Sequence, residues 1–329
     1  MKGLKIFTVV IVIVLLTITS WYFFGRETIK TEDNNNDSTL VGLSFTVEEY
    51  PKVDGSTSTH PLEVIIACRL LNISYHETIW YDGTRRIVPN ASEPGKEYIA
   101  ENITANIIHH GTHDAYVNLI NGTTDLILVA RLPSEDELAL ADGRSVELEA
   151  KPIALDAFVF ILNEKNQIYN LTIEQIQGIY TGAITNWSEV GGNYTDINPY
   201  QRDENSGSQE LMKRLVMKDL ELIDSPDLVL YGMMGPINRL NWDENGIGYT
   251  VYYFEEFMAP NDHIKLIGIN GYYPDYENIK TKKYPFTTEV YVVIRKDLDK
   301  DSNAYKLRDW LLSEEGQSVI EESGYVPVK

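Results

Sequence analysis

The stretch YQRDENSGSQELM at residues 200–212 places an arginine, two serines and a glycine at the predicted start of a helix. Gly207 allows the backbone to approach a ligand closely, and Ser206 and Ser208 carry hydroxyl donors. Arg202 can form a charge-assisted, bidentate pair with an oxyanion. A helix N-terminus adds unpaired N–H groups and partial positive charge. The stretch therefore predicts an anion site, although a surface turn with a local Arg–Glu ion pair would also explain it.

Two further segments rich in hydroxyl groups have the same character. Residues 54–62 are DGSTSTHPL, with Pro61 at the predicted first helical position and Thr59 as the cap. Residues 111–112 are Gly-Thr and precede a helical run that starts at Ala115. If all three helix starts point to one place, they form a cage for an oxyanion. The alternative for each segment is an ordinary capped turn.

The composition limits the possible partners. The chain has 329 residues, of which 49 are Asp or Glu and 28 are Lys or Arg, and its net charge is −21. Nucleic acid is excluded as a partner because its recognition needs a basic stripe, and the sequence has no long Lys/Arg run. The same acidity repels a small anion at long range. An anion must therefore be captured by local donors in a site that excludes water.

The N-terminal segment has the composition of a membrane anchor. Lys2 and Lys5 precede an apolar run at residues 6–24 that is long enough to cross a bilayer, and it ends in aromatic residues suited to the membrane interface. We expect a signal anchor or signal peptide at residues 1–25, with the globular part extracytoplasmic, or secreted if the segment is cleaved. The polar residues 26–39 predict a flexible linker.

Beyond residue 40, strand-like and helical patterns alternate, which predicts α/β layers. Two stretches, near residues 152–156 and 284–288, can carry the chain between two lobes. We therefore expect one lobe from residues 40–152 plus 284–329 and a second from residues 153–283. In such a fold the ligand binds in the cleft between the lobes, at the ends of the strands.

No segment predicts a metal centre, a cofactor site or a catalytic set. The sequence HHGTHD at residues 109–114 contains three histidines, but zinc needs three or four convergent ligands and neighbouring loop residues rarely converge. Ser56 and Ser206 lack the flanking glycines of a nucleophile elbow. Cys68, the single cysteine, is predicted to be a core residue. We expect a protein that is not an enzyme and has no metal and no cofactor.

The motifs, taken in order, resemble the phosphate-binding proteins of ABC-type importers. The pattern Arg-x-x-(Gly/Asn)-Ser-Gly-(Ser/Thr) follows a Gly-Ser-Thr-Ser turn, and the resemblance covers essentially everything after residue 40. The other segments that carry it are 179–187 (IYTGAITNW), 189–192 (EVGG), 247–249 (IGY), 315–317 (EGQ) and 323–327 (SGYVP).

The resemblance implies a two-lobed periplasmic-binding-protein fold of type II, with mixed sheets flanked by helices and a hinge that closes the lobes over a desolvated anion. Carried over by position, it implies that the first turn, the second turn and the third turn all contact phosphate. The implied ligand-binding residues are Ser58, Thr59, His60, Thr112, Arg131, Arg202, Glu204, Ser206, Gly207 and Ser208, with His60 acting through its backbone.

Two positions depart from the family pattern. His60 stands where an aromatic or aliphatic residue is common, and Arg131 stands where some members place an aspartate that accepts a proton from the ligand. Phosphate carries a proton at neutral pH and sulfate does not, so a carboxylate acceptor favours phosphate. Glu204 is the predicted acceptor, and Asp54 and Asp114 are weaker candidates.

The resemblance also implies partners: inorganic phosphate and the membrane permease subunits of an ABC transporter, with the binding protein itself a monomer. The alternative is a membrane-anchored anion sensor of the same fold that serves no permease. A secreted hydrolase of phosphate esters is disfavoured because the sequence offers neither metal ligands nor an activated nucleophile.

Overall fold

The chain is described over residues 42–329 by a computed structural model. The predicted anchor at residues 1–25 and the predicted linker at residues 26–39 lie outside these residues. Within the described part, no helix combines the length and the apolar character needed to cross a membrane. All described residues belong to a single unit of contacts, and the division into two lobes stays a prediction.

Fifteen β-strands run through residues 42–329, most of them short. They are β1 (Val53–Gly55), β2 (Tyr75–Ile79), β3 (Arg85–Pro89), β4 (Ile107–Ile108), β5 (Leu126–Val129), β6 (Leu148–Asn163), β7 (Asn170–Leu171), β8 (Asn198–Pro199), β9 (Gln201–Arg202), β10 (Val229–Leu230), β11 (Gly246–Val251), β12 (Ile264–Leu266), β13 (Gly268–Ile269), β14 (Thr287–Arg295) and β15 (Val326–Pro327).

Ten α-helices alternate with these strands in the same part of the chain. They are α1 (His60–Leu70), α2 (Glu97–Asn106), α3 (Thr112–Asn121), α4 (Glu135–Gly143), α5 (Ile173–Tyr180), α6 (Gly207–Leu211), α7 (Met234–Leu240), α8 (Tyr276–Lys280), α9 (Asn303–Leu311) and α10 (Glu314–Glu322). A π-helix, Met212–Met217, continues α6. The predicted α/β class, with mixed sheets flanked by helices, is confirmed.

The strands form one main sheet of nine strands in the order β4-β1-β5-β14-β6-β11-β8, with β12 and β15 also paired to β6. Strands β4, β1 and β5 are parallel to one another. Strand β14 is antiparallel to both β5 and β6. Because parallel strands end at the same edge of a sheet, the turns that follow β1, β4 and β5 meet there.

Strand β6 passes through both halves of this sheet. Its residues from Leu148 to Ala157 pair with β14, and its residues from Phe158 to Leu162 pair with β11. Every residue from Ile153 to Asn163 is buried. A strand covered on both faces is apolar throughout instead of alternating. The run of large apolar residues at 158–162 lies in this buried part of the sixteen-residue strand.

The core is built around aromatic side chains on β6 and its neighbours. The ring of Phe158 lies 5.3 Å from that of Tyr249, and the ring of Phe160 lies 6.0 Å from that of Tyr180. All four side chains are fully buried. Cys68 is buried in α1, as predicted. These aromatic contacts pack β6 against β11 and α5 in the centre of the core.

Gly55, at the end of β1, shows how tightly the first turn is packed. A β-carbon at this position would lie 2.0 Å from Glu63 Oε1 and 2.4 Å from the carbonyl oxygen of Leu128. Both distances are far below van der Waals contact. Only glycine therefore allows β1 to turn into α1 this close to β5.

Candidate anion-binding site

A cavity of about 330 Å³ lies where the three predicted helix starts come together. The first turn contributes Ser56, Thr57 and Ser58, and the second contributes the residues from His110 to Asp114. The third turn contributes Arg202, Asp203 and the residues from Asn205 to Ser208. Segments distant in sequence thus form one polar concavity of a size suited to a small ligand.

Hydrogen bonds between hydroxyl groups join the first and second turns. Ser56 Oγ lies 2.7 Å from Thr112 Oγ1, and both residues are buried. The backbone N–H of Ala130, which follows β5, donates to Ser56 Oγ at 3.1 Å. The N–H of Gly111 donates to the carbonyl oxygen of Gly55 at 3.2 Å. These bonds fix the N-terminus of α3 beside the first turn.

The third turn approaches the second at Gly207. A β-carbon on Gly207 would lie 2.6 Å from Thr112 Oγ1. Gly207 begins α6, and Ser206 is the N-cap, its hydroxyl oxygen accepting the N–H of Gln209 at 3.1 Å. A hydroxyl that accepts one hydrogen bond still has its own proton to donate. The cap therefore leaves Ser206 able to serve an anion in the cavity.

Arg202 brings a buried cation to the cavity wall. The residue is 5% exposed, and its backbone N–H donates to the hydroxyl oxygen of Tyr249 at 3.0 Å. Nε donates to the carbonyl oxygen of Leu230 at 3.1 Å, while Nη2 reaches Asp203 Oδ1 only at 3.4 Å. Burial lowers the pKa of Arg202, and Asp203 opposes this effect. An arginine nevertheless stays charged, so the guanidinium keeps donors for an oxyanion.

Six of the ten predicted ligand-binding residues line this cavity. They are Ser58, Thr112, Arg202, Ser206, Gly207 and Ser208. The convergence expected of the three turns is therefore present. Direct contact between these residues and an anion stays a prediction.

Thr59 was predicted as a ligand, but the structure does not bring it to the cavity. Its side chain is fully buried, and its hydroxyl lies 2.8 Å from Glu63 Oε1, 2.8 Å from the carbonyl oxygen of Leu128 and 2.9 Å from that of Ser56. These acceptors direct the hydroxyl into the core below the turn. Thr57 occupies the cavity wall instead.

His60 lines a different cavity, also of about 330 Å³, which shares Thr57, Gly232 and Met233 with the first. Its ring lies 4.5 Å from the ring of His109. Burial lowers the pKa of His60 to about 3, with further contributions from His109 and Arg86. His60 is therefore a neutral residue beside the predicted site, not part of its wall.

Arg131 is also outside the cavity. It is 2% exposed, and its Nη1 and Nη2 each lie 2.8 Å from an oxygen of the fully buried Glu137. The same carboxylate accepts the N–H of Ser134 at 2.8 Å and so caps α4. A buried carboxylate needs a paired charge, and Arg131 supplies it. The arginine is a partner of Glu137 and does not contact the cavity.

The predicted proton acceptor, Glu204, points away from the site. Its side chain is 87% exposed, and its nearest cation is Lys213 at 3.5 Å. Asp54 is buried behind the second turn, where it accepts from His110 Nδ1 and Asn118 Nδ2, each at 2.8 Å. Of the carboxylates considered, Asp114 lines the cavity. Neither Glu204 nor Asp54 is positioned to take a proton from a ligand there.

Several cavity residues were not predicted from sequence, among them Ser56, His113 and Asp203. Ser56 and Asp203 adjoin predicted ligands, so the signal was present in the two motifs. His113 directly follows the predicted ligand Thr112 in the motif at residues 109–114, but its partner Glu137 is 24 residues away and could not be predicted. Within residues 42–329, no cluster of three or more His, Cys, Asp or Glu side chains has the arrangement of a metal site.

Known proteins resemble this chain in sequence and in fold. Residues 93–315 match the family model of a PBP superfamily domain. The chain belongs to the PBP superfamily. Among curated relatives, the phosphate-binding protein PstS of Borreliella burgdorferi is 27% identical over 218 residues, covering 64% of this chain and 76% of the relative. PstS of Staphylococcus saprophyticus is 22% identical over 256 residues, covering 74% and 78%. The resemblance inferred from the sequence is confirmed.

Two solved structures share the fold of this chain. A candidate phosphate ABC transporter substrate-binding protein from Clostridium perfringens, crystallised with bound phosphate, matches with a TM-score of 0.61 and 23% identity over 84% of this chain and 98% of its own. An ABC-type phosphate transport receptor from Vibrio cholerae matches with a TM-score of 0.58 and 21% identity over 83% and 98%. At these identities the likeness establishes the fold alone.

Proposed function

We propose that this chain is the extracytoplasmic substrate-binding protein of an ABC importer and that it captures inorganic phosphate in the cavity between its lobes. The observation that carries the proposal is the meeting of three hydroxyl-rich turns with the buried Arg202 in one concavity. Charge-assisted hydrogen bonds from such donors are strongest where water is excluded. The relatives named as phosphate-binding proteins support the choice of anion.

The proposed lobes comprise residues 40–152 plus 284–329 and residues 153–283. The change of strand partner along β6, between Ala157 and Phe158, supports a hinge at this level of the sheet. Thr112 and Arg202 then belong to different lobes, so full coordination of the anion requires closure. We propose that the predicted segment at residues 1–25 anchors the protein to the membrane.

Isothermal calorimetry on the full chain tests this function. Phosphate should bind with a 1:1 stoichiometry and should raise the melting temperature, because a ligand that binds only the native state stabilises it. Sulfate, molybdate and carboxylates form the comparison panel. A chain that binds none of these anions, or prefers a carboxylate, does not have the proposed function.

The membrane-anchored sensor makes the same binding prediction, so a second measurement separates it from the transport protein. The phosphate-loaded chain should stimulate ATP hydrolysis by a reconstituted phosphate permease from the same organism. Tight binding without stimulation would favour the sensor. No catalytic role is proposed for the cavity residues.

A further inference from the structure

The ring of His113 is held on one side by a buried carboxylate. Its Nδ1 lies 3.1 Å from Glu137 Oε1, and Glu137 is fully buried. The side chain of His113 is 32% exposed, and the residue lines the cavity. Because Glu137 engages Nδ1, Nε2 is the ring nitrogen left to interact with a ligand in the cavity.

The charge on Glu137 determines which ring nitrogen carries the proton. Arg131 contacts both oxygens of Glu137 at 2.8 Å, and this bidentate pair favours the ionised carboxylate. An ionised carboxylate can only accept, so Nδ1 of His113 must be the donor in this hydrogen bond. In the neutral imidazole, Nε2 is then a bare acceptor. Arg131 and Glu137 thus position a proton acceptor at the cavity.

Phosphate needs such an acceptor if it is to be distinguished from sulfate. At neutral pH hydrogen phosphate has one P–OH group to donate, whereas sulfate has none. An unprotonated ring nitrogen accepts a hydrogen bond from the P–OH group. Against sulfate, the lone pair of the nitrogen meets the lone pair of an oxygen, and the two repel each other. Neutral imidazole achieves this discrimination without adding a negative charge that would repel the dianion.

We infer that His113 Nε2 is the group that accepts the phosphate proton and thereby sets selectivity against sulfate. This inference rests on the proposed function. Arg131 and Glu137 are positioning residues, because they act through the histidine ring. Where part of the family places an aspartate, this chain has a hydrogen-bonded series in which Arg131 holds Glu137 and Glu137 holds His113.

Three other cavity residues are the rivals for this role: His110, Asp114 and Asp203. His110 is also held through Nδ1, at 2.8 Å from Asp54 Oδ2, but its side chain is 47% exposed. A hydrogen bond made there competes with water and discriminates less. Asp114 and Asp203 line the cavity with carboxylates, which add the negative charge that a neutral imidazole avoids.

Nitrogen NMR of histidine-labelled full chain tests the assignment directly. In the free protein, Nδ1 of His113 should be the protonated nitrogen and Nε2 the unprotonated one. Phosphate should shift the Nε2 resonance, and sulfate at the same concentration should not. A protonated Nε2 in the free protein, or an Nε2 signal that phosphate does not shift, would overturn the inference.

Calorimetry of matched variants gives the second readout. His113→Asn retains a donor near Nδ1 and removes Nε2, so the ratio of the sulfate Kd to the phosphate Kd should fall at least tenfold. The same ratio is measured for His110→Asn, Asp114→Asn and Asp203→Asn. The inference is wrong if one of these three variants lowers the ratio more than His113→Asn does. If the wild-type chain binds no phosphate at all, it is the proposed function that fails.

Discussion

Thr112 and Gly207 lie in such close contact that a β-carbon on Gly207 would be 2.6 Å from Thr112 Oγ1. Thr112 begins α3, and Gly207 begins α6. The contact therefore brings two helix N-termini, from segments about a hundred residues apart, to one point of the cavity wall. Glycine is required here by space and not by backbone conformation, because the φ angle of Gly207 is not positive.

Gly207→Ala should weaken phosphate binding about tenfold or more, because overpacking a tight contact costs roughly 1–3 kcal/mol. The methyl group would hold the two turns apart and prevent the anion from reaching donors on both. The Kd from calorimetry measures the effect. Gly143→Ala is the matched control, since a β-carbon there would meet nothing within 4 Å. An unchanged Kd for Gly207→Ala would show that the turns separate without loss.

Arg202→Ala should weaken phosphate binding by at least about 100-fold. Removing one partner of a buried charged hydrogen bond costs roughly 2–5 kcal/mol. The backbone contact of Arg202 to Tyr249 remains, so the melting temperature without ligand should stay close to that of the wild type. Arg144→Ala, an exposed arginine after α4, controls for net charge. Near wild-type affinity would remove Arg202 from the site.

Glu204→Gln should leave the affinities for phosphate and for sulfate within about twofold of wild type. The side chain is 87% exposed and faces Lys213, where a surface ion pair contributes little. This expectation reverses the one drawn from the family motif. A clear loss of selectivity in this variant would mean that Glu204 turns into the cavity when the ligand binds.

Asp156 should make the protein less stable as the pH rises. Burial raises its pKa to about 7, against about 3.9 in an unfolded chain. Between these values the folded protein binds the proton more tightly, so the free energy of unfolding falls as pH increases. Oδ1 accepts the N–H groups of Ala157 at 2.8 Å and Tyr253 at 3.0 Å, and an asparagine oxygen can keep both bonds.

Asp156→Asn should therefore flatten this decline by about 1 kcal/mol per pH unit between pH 4.5 and 6.5. Urea unfolding at each pH measures it. Burial also raises the pKa of Glu63, so some slope of the same sign should remain in the variant. Parallel curves for the variant and the wild type would contradict the role of Asp156.

The sequence was sufficient for the fold class and for the three helix starts, because both depend on local patterns. Glycines, hydroxyl residues and Pro61 mark the caps without any knowledge of tertiary contacts. Six predicted ligands accordingly line one cavity. The full length of β6 could not be predicted from local pattern, because its first half is only partly buried and lacks a continuous apolar run.

The direction of charged and capping side chains could not be predicted in the same way. Thr59 has the right residue type, but buried acceptors draw its hydroxyl into the core. The guanidinium of Arg131 is directed by its ion pair with Glu137, and the exposed Glu204 pairs with Lys213 at the surface. Each outcome depends on a partner brought close by the fold. Motif spacing identifies the segment that approaches a ligand but not the side chains that face it.

The sixteen residues of β6 connect the two parts of the main sheet in one continuous strand. Its first ten residues complete the pairing of β14, and the next five complete that of β11. If the polypeptide were cut into two fragments within this strand, each would lose a neighbour along one edge of its sheet. Split reporters and domain-exchange chimeras of this protein should therefore be joined in the surface turns, with the whole of β6 inherited from one parent.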